Sequence, residues 1–563
     1  MQLAANRTKE PTDWNVADWR QAQRAVRNLR QRIFRASEAG DHRKVRSLQK
    51  LMLRSHANAL LAVRRVTQMN RGKNTPGVDK VVVKTPKARG DLVDRLGQLM
   101  PWKAQPARRV YIPKAKGKSR PLGIPVITDR AMQAIVLSAL EPEWEARFEG
   151  CSYGFRPGRG CHDAIASVYS IARPNKTKKW VLDADVKGAF DNIGHETLLK
   201  TIKGFPAQEL IKQWLKAGYV EDDLLYATES GTPQGGVISP LLANIAFHGM
   251  EAAIGVTRRP SGELRGKRAL VRYADDFLVF CETEEDAAAA KADVSAWLAT
   301  RGLALSEEKT RIRHLSEGFD FLGFNIRHYR AEKTSRSGWK LLIKPSKDAV
   351  EQVRAKIKSE WMTHRDTRTE KVIHKLNPII RGWSNYYRIG VSKEVFSSLD
   401  DWMFQREVRY AKRRHPKKGW AWIKTRYWGR SPRSRKAEWT FRDPENPDLF
   451  LLDFARTPIE RHILVKGRSS PDDPRLREYW AERNKRRVSE LSKRHQELAK
   501  KQRGMCPHCS SSLMNDEELH IHHVQRRTDG GTNKPSNLRL VHLYCHQQIH
   551  AGGHERSDAE RCA

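Results

Sequence analysis

Residues 269–280 read Ala-Leu-Val-Arg-Tyr-Ala-Asp-Asp-Phe-Leu-Val-Phe, so two adjacent aspartates, Asp275 and Asp276, stand between two apolar runs. Each run has the composition of a β-strand, which predicts a hairpin with the acidic pair at its turn. Neighbouring carboxylates repel each other, and a divalent cation bound between them removes that cost. Paired cations of this kind support displacement at phosphorus. Taken alone, the acidic pair is also compatible with ordinary turn chemistry, in which aspartate is common.

The composition favours a large folded protein that binds a polyanion. The chain has 563 residues, which predicts several domains, and its hydrophobic content of 39% is enough to build buried cores. Lys and Arg number 105 against 65 Asp and Glu, which gives a net charge of +40. An extended polyanion such as a nucleic acid is the expected partner of such a protein. A basic protein of the ribosomal type is the alternative.

Two features bear on where the chain works. No segment reaches the roughly 18–20 apolar residues that a membrane span needs, so we expect no membrane partner. Residues 1–7 lack the apolar core of a signal peptide, and no transit-like leader is present. These patterns predict a cytoplasmic protein, bacterial rather than organellar.

A third carboxylate, Asp185, comes at the end of residues 180–186, an apolar run that predicts another strand. Together with Asp275 and Asp276 it offers the oxygen ligands that Mg²⁺ prefers, enough for two ions. Asp183 and Asp191 are rival candidates for the third ligand, because the two-residue period of a strand does not exclude Asp183.

Two further segments have the composition of a nucleotide site. Residues 231–239 form a glycine-rich loop, whose backbone can approach a ligand closely and in which Gln234 offers an amide. Lys114 and Arg120 flank a basic glycine turn, and two cations there suit a triphosphate. An ordinary turn and a solvated basic loop are the alternatives.

Taken in their order along the chain, these segments resemble the reverse transcriptase family, over roughly residues 55–330. The resemblance rests on motifs that read RVYIPK at 109–114, RPLGIP at 120–125, YGFRPGR at 153–159, DVKGAFD at 185–191, GTPQGGVISP at 231–240, YADD at 273–276, SEEKT at 306–310 and LGF at 322–324. The forms at 153–159 and 231–245 are similar to the group II intron branch of that family.

This resemblance implies a right-hand polymerase fold of palm and fingers, and RNA-directed DNA synthesis. It implies that Asp185, Asp275 and Asp276 hold the catalytic Mg²⁺ ions. It also places five residues around the incoming deoxynucleotide (dNTP): Lys114 and Arg120 at the triphosphate, Phe190 as a steric gate against the ribose 2′-hydroxyl, Gln234 near the nucleotide, and Lys309.

The region after residue 345 is basic and rich in tryptophan. We expect a helical bundle at 348–415, an irregular stretch at 416–475 and a long charged helix at 477–502. Residues 409–439 carry twelve Lys or Arg against one acid, with aromatic residues interleaved. That composition is typical of a nucleic-acid surface, although tryptophans buried beneath a charged face fit it as well.

Within this region, Trp383, Tyr386 and Tyr387 lie at helical spacing, a pattern that fits a buried core better than a base-stacking platform. The surrounding residues 378–390 resemble the thumb, or X, domain of group II intron maturases. This likeness implies that the chain binds the structured RNA of its cognate intron.

Near the C-terminus, two residue pairs at the same spacing predict a tetrahedral structural Zn²⁺ site made by Cys506, Cys509, His542 and Cys545. A small unit of this size needs such a staple. A redox pair formed by Cys506 and Cys509 is the weaker alternative, because no thioredoxin-like pattern surrounds them.

The histidines that lie between and after these pairs resemble the HNH nuclease motif, with His522-His523, Gly530-Gly531, Ser536-Asn537-Leu538, Cys545-His546 and His550 in order. The resemblance implies a ββα unit that nicks DNA with the help of one Mg²⁺ ion. It makes His523 the general base and gives His522 and His546 as metal ligands, with His550 left open as a further ligand. Asn537 would brace the loop.

Together these patterns predict an α+β multidomain protein. Its expected parts are fingers and palm with an N-terminal helical extension at 1–335, a thumb or maturase X domain at 336–430, a small DNA-binding region at 431–495 and a zinc-stapled HNH domain at 496–563. The resemblance implies a group II intron-encoded protein that binds its intron RNA to assist splicing, nicks target DNA and copies the RNA by target-primed reverse transcription. A splicing factor with relic enzymatic domains and a host-domesticated reverse transcriptase are the alternatives, and the oligomeric state stays open.

Overall fold

A computed structural model describes residues 11–98, 102–113, 119–232, 234–259, 262–332, 335, 337–430, 439–515 and 517–551. Lys114, which the sequence places at the triphosphate, lies outside these residues. Among the helices within those ranges, none is both long enough and apolar enough to span a bilayer.

The chain begins with the four N-terminal helices, α1 (Trp19–Glu38), α2 (His42–Leu53), α3 (His56–Arg64) and α4 (Pro86–Gln98). A polar side chain caps each of the first three, since Asp18, Asp41 and Ser55 accept backbone N–H groups that the first helical turn leaves unpaired. Helix α3 runs on into a π-helical turn, Arg65–Met69, and a 3₁₀ turn, Arg71–Asn74. Their apolar faces pack against the long helix that follows.

The middle of the chain alternates strands and helices. The helices are α5 (Ile127–Arg147), α6 (Cys161–Ile171), α7 (Ala189–Asn192), α8 (His195–Thr201), α9 (Gln208–Lys216), α10 (Ser239–Ala246), α11 (Met250–Ala253) and α12 (Glu284–Ala299). The strands are β1 (Ala107–Pro113), β2 (Ser119–Ile124), β3 (Trp180–Asp185), β4 (Tyr219–Glu221), β5 (Leu224–Tyr226), β6 (Thr257–Arg258), β7 (Leu264–Arg265), β8 (Ala269–Tyr273), β9 (Asp276–Cys281) and β10 (Arg311–His314).

Two four-stranded sheets arise from these strands, one in the order β2-β1-β4-β5 and the other in the order β10-β3-β9-β8. The second, which we call the carboxylate sheet, is antiparallel throughout and is covered on both faces. Its side chains at Leu182 and Phe277 share a core with α12, while Val181 and Leu278 share a core with α6. Apolar burial on both faces therefore fixes the register that carries the acidic residues.

A three-stranded sheet of β11 (Phe319–Phe321), β12 (Phe324–Arg330) and β13 (Trp339–Pro345) leads into the helices α13 (Lys347–Thr363), α14 (Thr369–Tyr387), α15 (Lys393–Arg414) and α16 (Trp420–Tyr427). The helical bundle expected at 348–415 is present. The irregular stretch expected at 416–475 is wrong at its start, because α16 forms there and buries Ile423 and Tyr427 in the core. A short pair, β14 (Trp428–Gly429) and β15 (Thr440–Phe441), follows.

The C-terminal part contains α17 (Arg477–Arg487), α18 (Lys493–Lys501), β16 (Leu519–His523), β17 (Leu538–His542) and α19 (Leu543–Ala551). The single helix expected at 477–502 is wrong, since a 3₁₀ turn (Val488–Glu490) and an extended Leu491 break it. The hydroxyl of Ser492 then caps α18 by accepting the backbone N–H of His495. Serine is favoured at the start of a helix because its hydroxyl pairs with the backbone there. A prediction from the charge pattern alone therefore misses the break between α17 and α18. We call residues 493–551 the C-terminal unit.

Candidate active sites

The hairpin of β8 and β9 brings the acidic residues of the sequence together. Ala274, at its turn, has a left-handed backbone with φ of 59°, so Asp275 and Asp276 leave the turn side by side. The register of β3 against β9 sets Asp185 directly opposite Asp276. The Lys309 ammonium lies 2.6 Å from an Asp185 carboxylate oxygen. We call residues 273–276 the carboxylate turn.

The electrostatics of this cluster favour a bound cation. Desolvation, reinforced by the charges of Asp275 and Asp185, raises the pKa of Asp276 to about 7. Desolvation, followed by repulsion from Asp185, also raises the pKa of Asp275. Both effects disfavour ionised carboxylates without a counter-ion, and a metal ion reverses them. Oxygen donors arranged in this way fit Mg²⁺.

The two rival aspartates lie elsewhere on the same framework. Asp183 stands opposite Leu278, two residues further from the turn than Asp185, and it faces Arg313 and Asp320. Burial raises the pKa of Asp183 to about 6. Asp191 lies in α7, close enough to Arg109 and Arg120 for them to lower its pKa against the larger opposing effect of burial.

A fully buried arginine that the sequence analysis did not single out supports the carboxylate turn. The guanidinium of Arg272 donates to the backbone oxygen of Ala274 at 3.0 Å, to Oδ1 of Asn244 at 3.1 Å and to Oγ of Ser152 at 2.7 Å. Asn244 in turn donates to the backbone oxygen of Gly154 at 2.9 Å. The network therefore joins the YADD, YGFRPGR and GTPQGGVISPLLANI segments. In the sequence, Arg272 is the one charged residue in the apolar run of β8, and that isolated charge is the signal that could have identified it.

Three of the segments expected around the nucleotide meet in the described structure. The backbone oxygen of Gln234 accepts the N–H of Gly123 at 2.6 Å, which seats the glycine-rich loop on β2, the strand that carries Arg120. The same loop meets α7, where Thr232 donates its N–H to the backbone oxygen of Phe190 at 2.6 Å. Arg120 is also close enough to Asp275 to lower its pKa against the larger effect of burial.

The aromatic residues of α14 pack as a core element. Tyr387 is buried, and its ring and that of Tyr386 lie 4.9 and 5.4 Å from the ring of Phe324. The Tyr386 hydroxyl donates to the backbone oxygen of Leu322 at 2.9 Å. At Gly323, where φ is 79°, a Cβ would lie 2.7 Å from the Tyr387 hydroxyl, so only glycine fits. Tyr386 and Tyr387 thus pack α14 against the LGF motif at residues 322–324.

In the C-terminal unit, Cys506, Cys509, His542 and Cys545 come together as the Cys/His cluster, and each has a candidate ligand atom within 4.8 Å of the others. All four residues are buried. The Nε2 of His542 lies 3.1 Å from the backbone oxygen of Ser512, an acceptor, so the ring donates there and turns the lone pair of Nδ1 toward the thiols. Hydrogen bonds from Cys509 and Cys545 lower the pKa of Cys506 to about 3. This donor set fits a tetrahedral metal ion.

A second group, the histidine cluster, combines His522 from β16 with His546 and His550 from α19, again within 4.8 Å. Desolvation, followed by the neighbouring histidines, lowers the pKa of His546 to about 4, so His546 offers a neutral nitrogen to a metal. His523 lies beside it on β16, and its Nε2 is 2.9 Å from Oδ1 of Asn533, a residue that the sequence analysis did not name.

Asn537 ties together the loop between β16 and β17. Its amide nitrogen donates to the backbone oxygens of Gln525 and Thr532 at 3.1 and 2.9 Å, and its Oδ1 accepts the N–H of Gln525 at 2.7 Å. These bonds bend the chain back on itself, so that β16 pairs with β17 and α19 follows. Strand, strand and helix then bring His522 together with the α19 histidines, and His523 follows directly on β16.

Family models match four consecutive segments of the chain. Their descriptions are the N-terminal domain of reverse transcriptase at residues 14–96, reverse transcriptase (RNA-dependent DNA polymerase) at 112–326, the group II intron maturase-specific domain at 350–428 and HNH endonuclease at 506–552. The matches include the carboxylate turn, the aromatic pair of α14 and both C-terminal clusters.

Among curated proteins, Protein YkfC of Escherichia coli (strain K12) is 35% identical over 316 residues, which cover 49% of this chain and 80% of YkfC. Group II intron-encoded protein LtrA of Lactococcus lactis subsp. cremoris is 33% identical over 366 residues, covering 50% of this chain and 60% of LtrA. The chain thus spans less than two thirds of LtrA. A solved telomerase from Candida albicans with a fragment of telomeric RNA has a TM-score of 0.33 at 12% identity, over 56% of this chain and 60% of that one.

Proposed function

The chain belongs to the family of group II intron reverse transcriptases and maturases that carry an HNH endonuclease domain, and from this premise we propose that it acts as a mobility protein for one cognate intron. In that role it binds the intron RNA, assists its splicing and reverse splicing, nicks target DNA and copies the RNA into cDNA from the nicked end. YkfC and LtrA come from bacteria, which supports a bacterial cytoplasm as the setting.

The observation that carries the polymerase assignment is the facing pair Asp185 and Asp276 with Asp275 beside them. The carboxylate sheet would serve as the palm of a right hand, and these three carboxylates would hold two Mg²⁺ ions. Bound there, the ions would lower the barrier to in-line displacement at the dNTP phosphorus. Lys309, paired with Asp185, and Arg120 on β2 would compensate negative charge on the triphosphate, with Lys114 as a third cation.

We assign the selection of deoxynucleotides over ribonucleotides to Phe190. The glycine-rich loop packs against its backbone, and Phe155 packs edge-on against its ring at 6.2 Å. A residue fixed at its backbone by the loop and at its ring by Phe155 suits exclusion of a ribose 2′-hydroxyl. Gln234, seated on β2 by its backbone, would contact the nucleotide or the template.

We place the domain boundaries at 1–335 for fingers and palm with the N-terminal helices, 336–430 for the thumb or X domain, 431–495 for the DNA-binding region and 496–563 for the HNH domain. The helices α13–α16 support the second part, and the match to the maturase-specific domain supports its binding of intron RNA. Three tryptophans near the boundary between the X domain and the DNA-binding region are exposed and have cationic side chains over their rings: Trp420, Trp422 and Trp439. They support a nucleic-acid surface at that boundary.

For the HNH domain we propose His523 as general base and His522, His546 and His550 as ligands of one Mg²⁺ ion. The distances within the histidine cluster support all three ligands. A metal there would stabilise charge on the scissile phosphate, while His523, oriented by Asn533, would accept a proton from water. The Cys/His cluster would hold a structural Zn²⁺ ion.

The proposal is tested by expressing the chain with its flanking DNA, purifying it and sequencing the RNA that copurifies. The same preparation is assayed for DNA nicking and for cDNA extension, with Asp275→Ala and His523→Ala as matched controls. We expect one dominant excised intron RNA, extension lost only in the first variant and nicking lost only in the second. Bound intron RNA without either activity would instead indicate a splicing maturase. Extension on a heterogeneous RNA population would indicate a reverse transcriptase separated from its intron.

A further inference from the structure

The two ends of the described chain share one hydrophobic core. Trp14, Trp19 and Val63 from the N-terminal region belong to the same buried cluster as Leu498, Leu540 and the three cysteines of the Cys/His cluster. Three hydrogen bonds border it: Gln548 donates to the backbone oxygens of Asn15 and Ala17 at 3.1 Å, and Arg20 donates to that of Pro507 at 2.9 Å. The C-terminal unit is therefore packed onto the N-terminal helices as part of a domain core.

One N-terminal residue reaches the Cys/His cluster itself. Arg64, the last residue of α3, donates from Nη2 to the Sγ of Cys545 at 3.4 Å and to Oε2 of Glu517 at 3.1 Å. Its side chain is 3% exposed and that of Glu517 is 4% exposed. The guanidinium carbon lies 5.0 Å from the ring centre of Trp19, which places the indole beside the same group.

The charges explain why an arginine stands there. Three thiolates and a neutral imidazole around a divalent ion leave a single net negative charge. Glu517 adds a second negative charge within the same buried region. Buried anions without a counter-charge are costly, and a guanidinium that donates to both lowers that cost. Groups that hydrogen-bond to metal ligands in this way commonly tune metal affinity.

We propose that Arg64 is a functional part of the C-terminal metal site, and that metal occupancy of the Cys/His cluster and the seating of the N-terminal helices are thermodynamically coupled through it. This inference rests on the Zn²⁺ assignment made above. The coupling is reciprocal: a change on α3 weakens metal binding some 480 residues away along the chain, and loss of the metal loosens α1 and α3. Arg64 acts through Cys545, so it is a positioning residue.

The test measures Zn²⁺ affinity of the purified full chain by competition with a chromophoric chelator. We expect Arg64→Met to weaken Zn²⁺ binding by about 10–100-fold. Arg20→Met is the matched control, since it removes a contact between the same two regions that ends on the backbone oxygen of Pro507 and on no metal ligand; its affinity should fall far less than that of Arg64→Met. Adding Glu517→Gln to Arg64→Met should recover part of the loss, because it removes one of the two buried negative charges.

Hydrogen exchange supplies the second readout. Stripping Zn²⁺ from the wild type should increase exchange in α1 and α3 and leave the carboxylate sheet unchanged. If Arg64→Met fails to fold, Arg64→Lys replaces it, because it keeps the charge and loses the planar fork; its Zn²⁺ affinity should be lower than that of the wild type. Unaltered affinity in the Arg64 variants, or unchanged exchange in α1 and α3, would overturn the coupling alone. A wild type that binds no Zn²⁺ would overturn the metal assignment as well.

Discussion

The carboxylate turn and the C-terminal unit each present metal-binding side chains, but the protein supports them in different ways. The turn sits in a sheet covered on both faces, and a buried arginine of the adjacent strand braces it. The C-terminal unit has two short strands and one helix, and it depends on a Cys/His cluster and on apolar residues from the other end of the chain. The first site is pre-organised by its own core, whereas the second is expected to form only with its metal and its distant partner.

The sharpest test of this difference is to remove the structural metal. Cys509→Ala takes away one of four ligands, and structural Zn²⁺ sites contribute on the order of 10 kcal/mol to folding. We expect nicking to be lost and cDNA extension to be largely retained, as measured on one preparation. Cys281→Ala, which alters a buried thiol of β9 outside the cluster, should preserve both activities. Equal loss of extension and nicking in Cys509→Ala would show that the two sites do not differ in this way.

The converse change is Asp275→Asn, which removes a charged metal ligand and leaves the shape of the turn. Metal ions contribute several kcal/mol to transition-state stabilisation, so extension should fall by about a thousandfold or more while nicking continues. Asp183→Asn serves as the matched variant, because Asp183 lies two residues further from the turn. Extension lost as completely in Asp183→Asn as in Asp275→Asn would transfer the ligand role of Asp185 to Asp183.

The bracing of the turn is tested by Arg272→Lys, which keeps the charge but cannot reproduce the three bonds of the guanidinium. Buried acceptors left unpaired cost about 1–3 kcal/mol each, so we expect a lower melting temperature and roughly tenfold slower extension at saturating dNTP. Arg268→Lys, at an ion pair with Asp286 and Asp293 that does not touch the carboxylate turn, is the control and should leave extension unchanged. A normal turnover number in Arg272→Lys would mean that the carboxylate turn keeps its conformation without the bonds from Arg272.

The smallest effect is expected at the contact between α14 and the LGF motif. Tyr386→Phe deletes one hydrogen bond, to the oxygen of Leu322, which is worth about 1 kcal/mol. Extension should slow by no more than about fivefold, with intron RNA binding unchanged in a filter-binding assay. Weaker RNA binding with normal extension would assign the tyrosine to the RNA surface instead of the core. Tyr169→Phe, at an exposed position on α6, provides the comparison.

The sequence predicts those features that local pattern determines. The hairpin at Asp275 follows from two adjacent apolar runs, and the gathering of four Cys/His ligands follows from two pairs at equal spacing. The same logic fails at α18, where one serine hydroxyl outweighs a charged helical pattern, and at α16, where packing overrides a composition rich in breakers. Arg64 was beyond prediction, since nothing near it in sequence indicates a thiol that comes 481 residues later.

The contact between the two ends of the chain also has a consequence for how the protein is made. Residue 545 leaves the ribosome long after residue 64, and at about 5–20 residues per second the delay is roughly half a minute to a minute and a half. During that interval the part of this apolar cluster that the C-terminal unit completes lacks its final partner. A polypeptide truncated before the cysteines would keep that part uncovered, so the chaperones and proteases of the cell can distinguish an unfinished copy from a complete one.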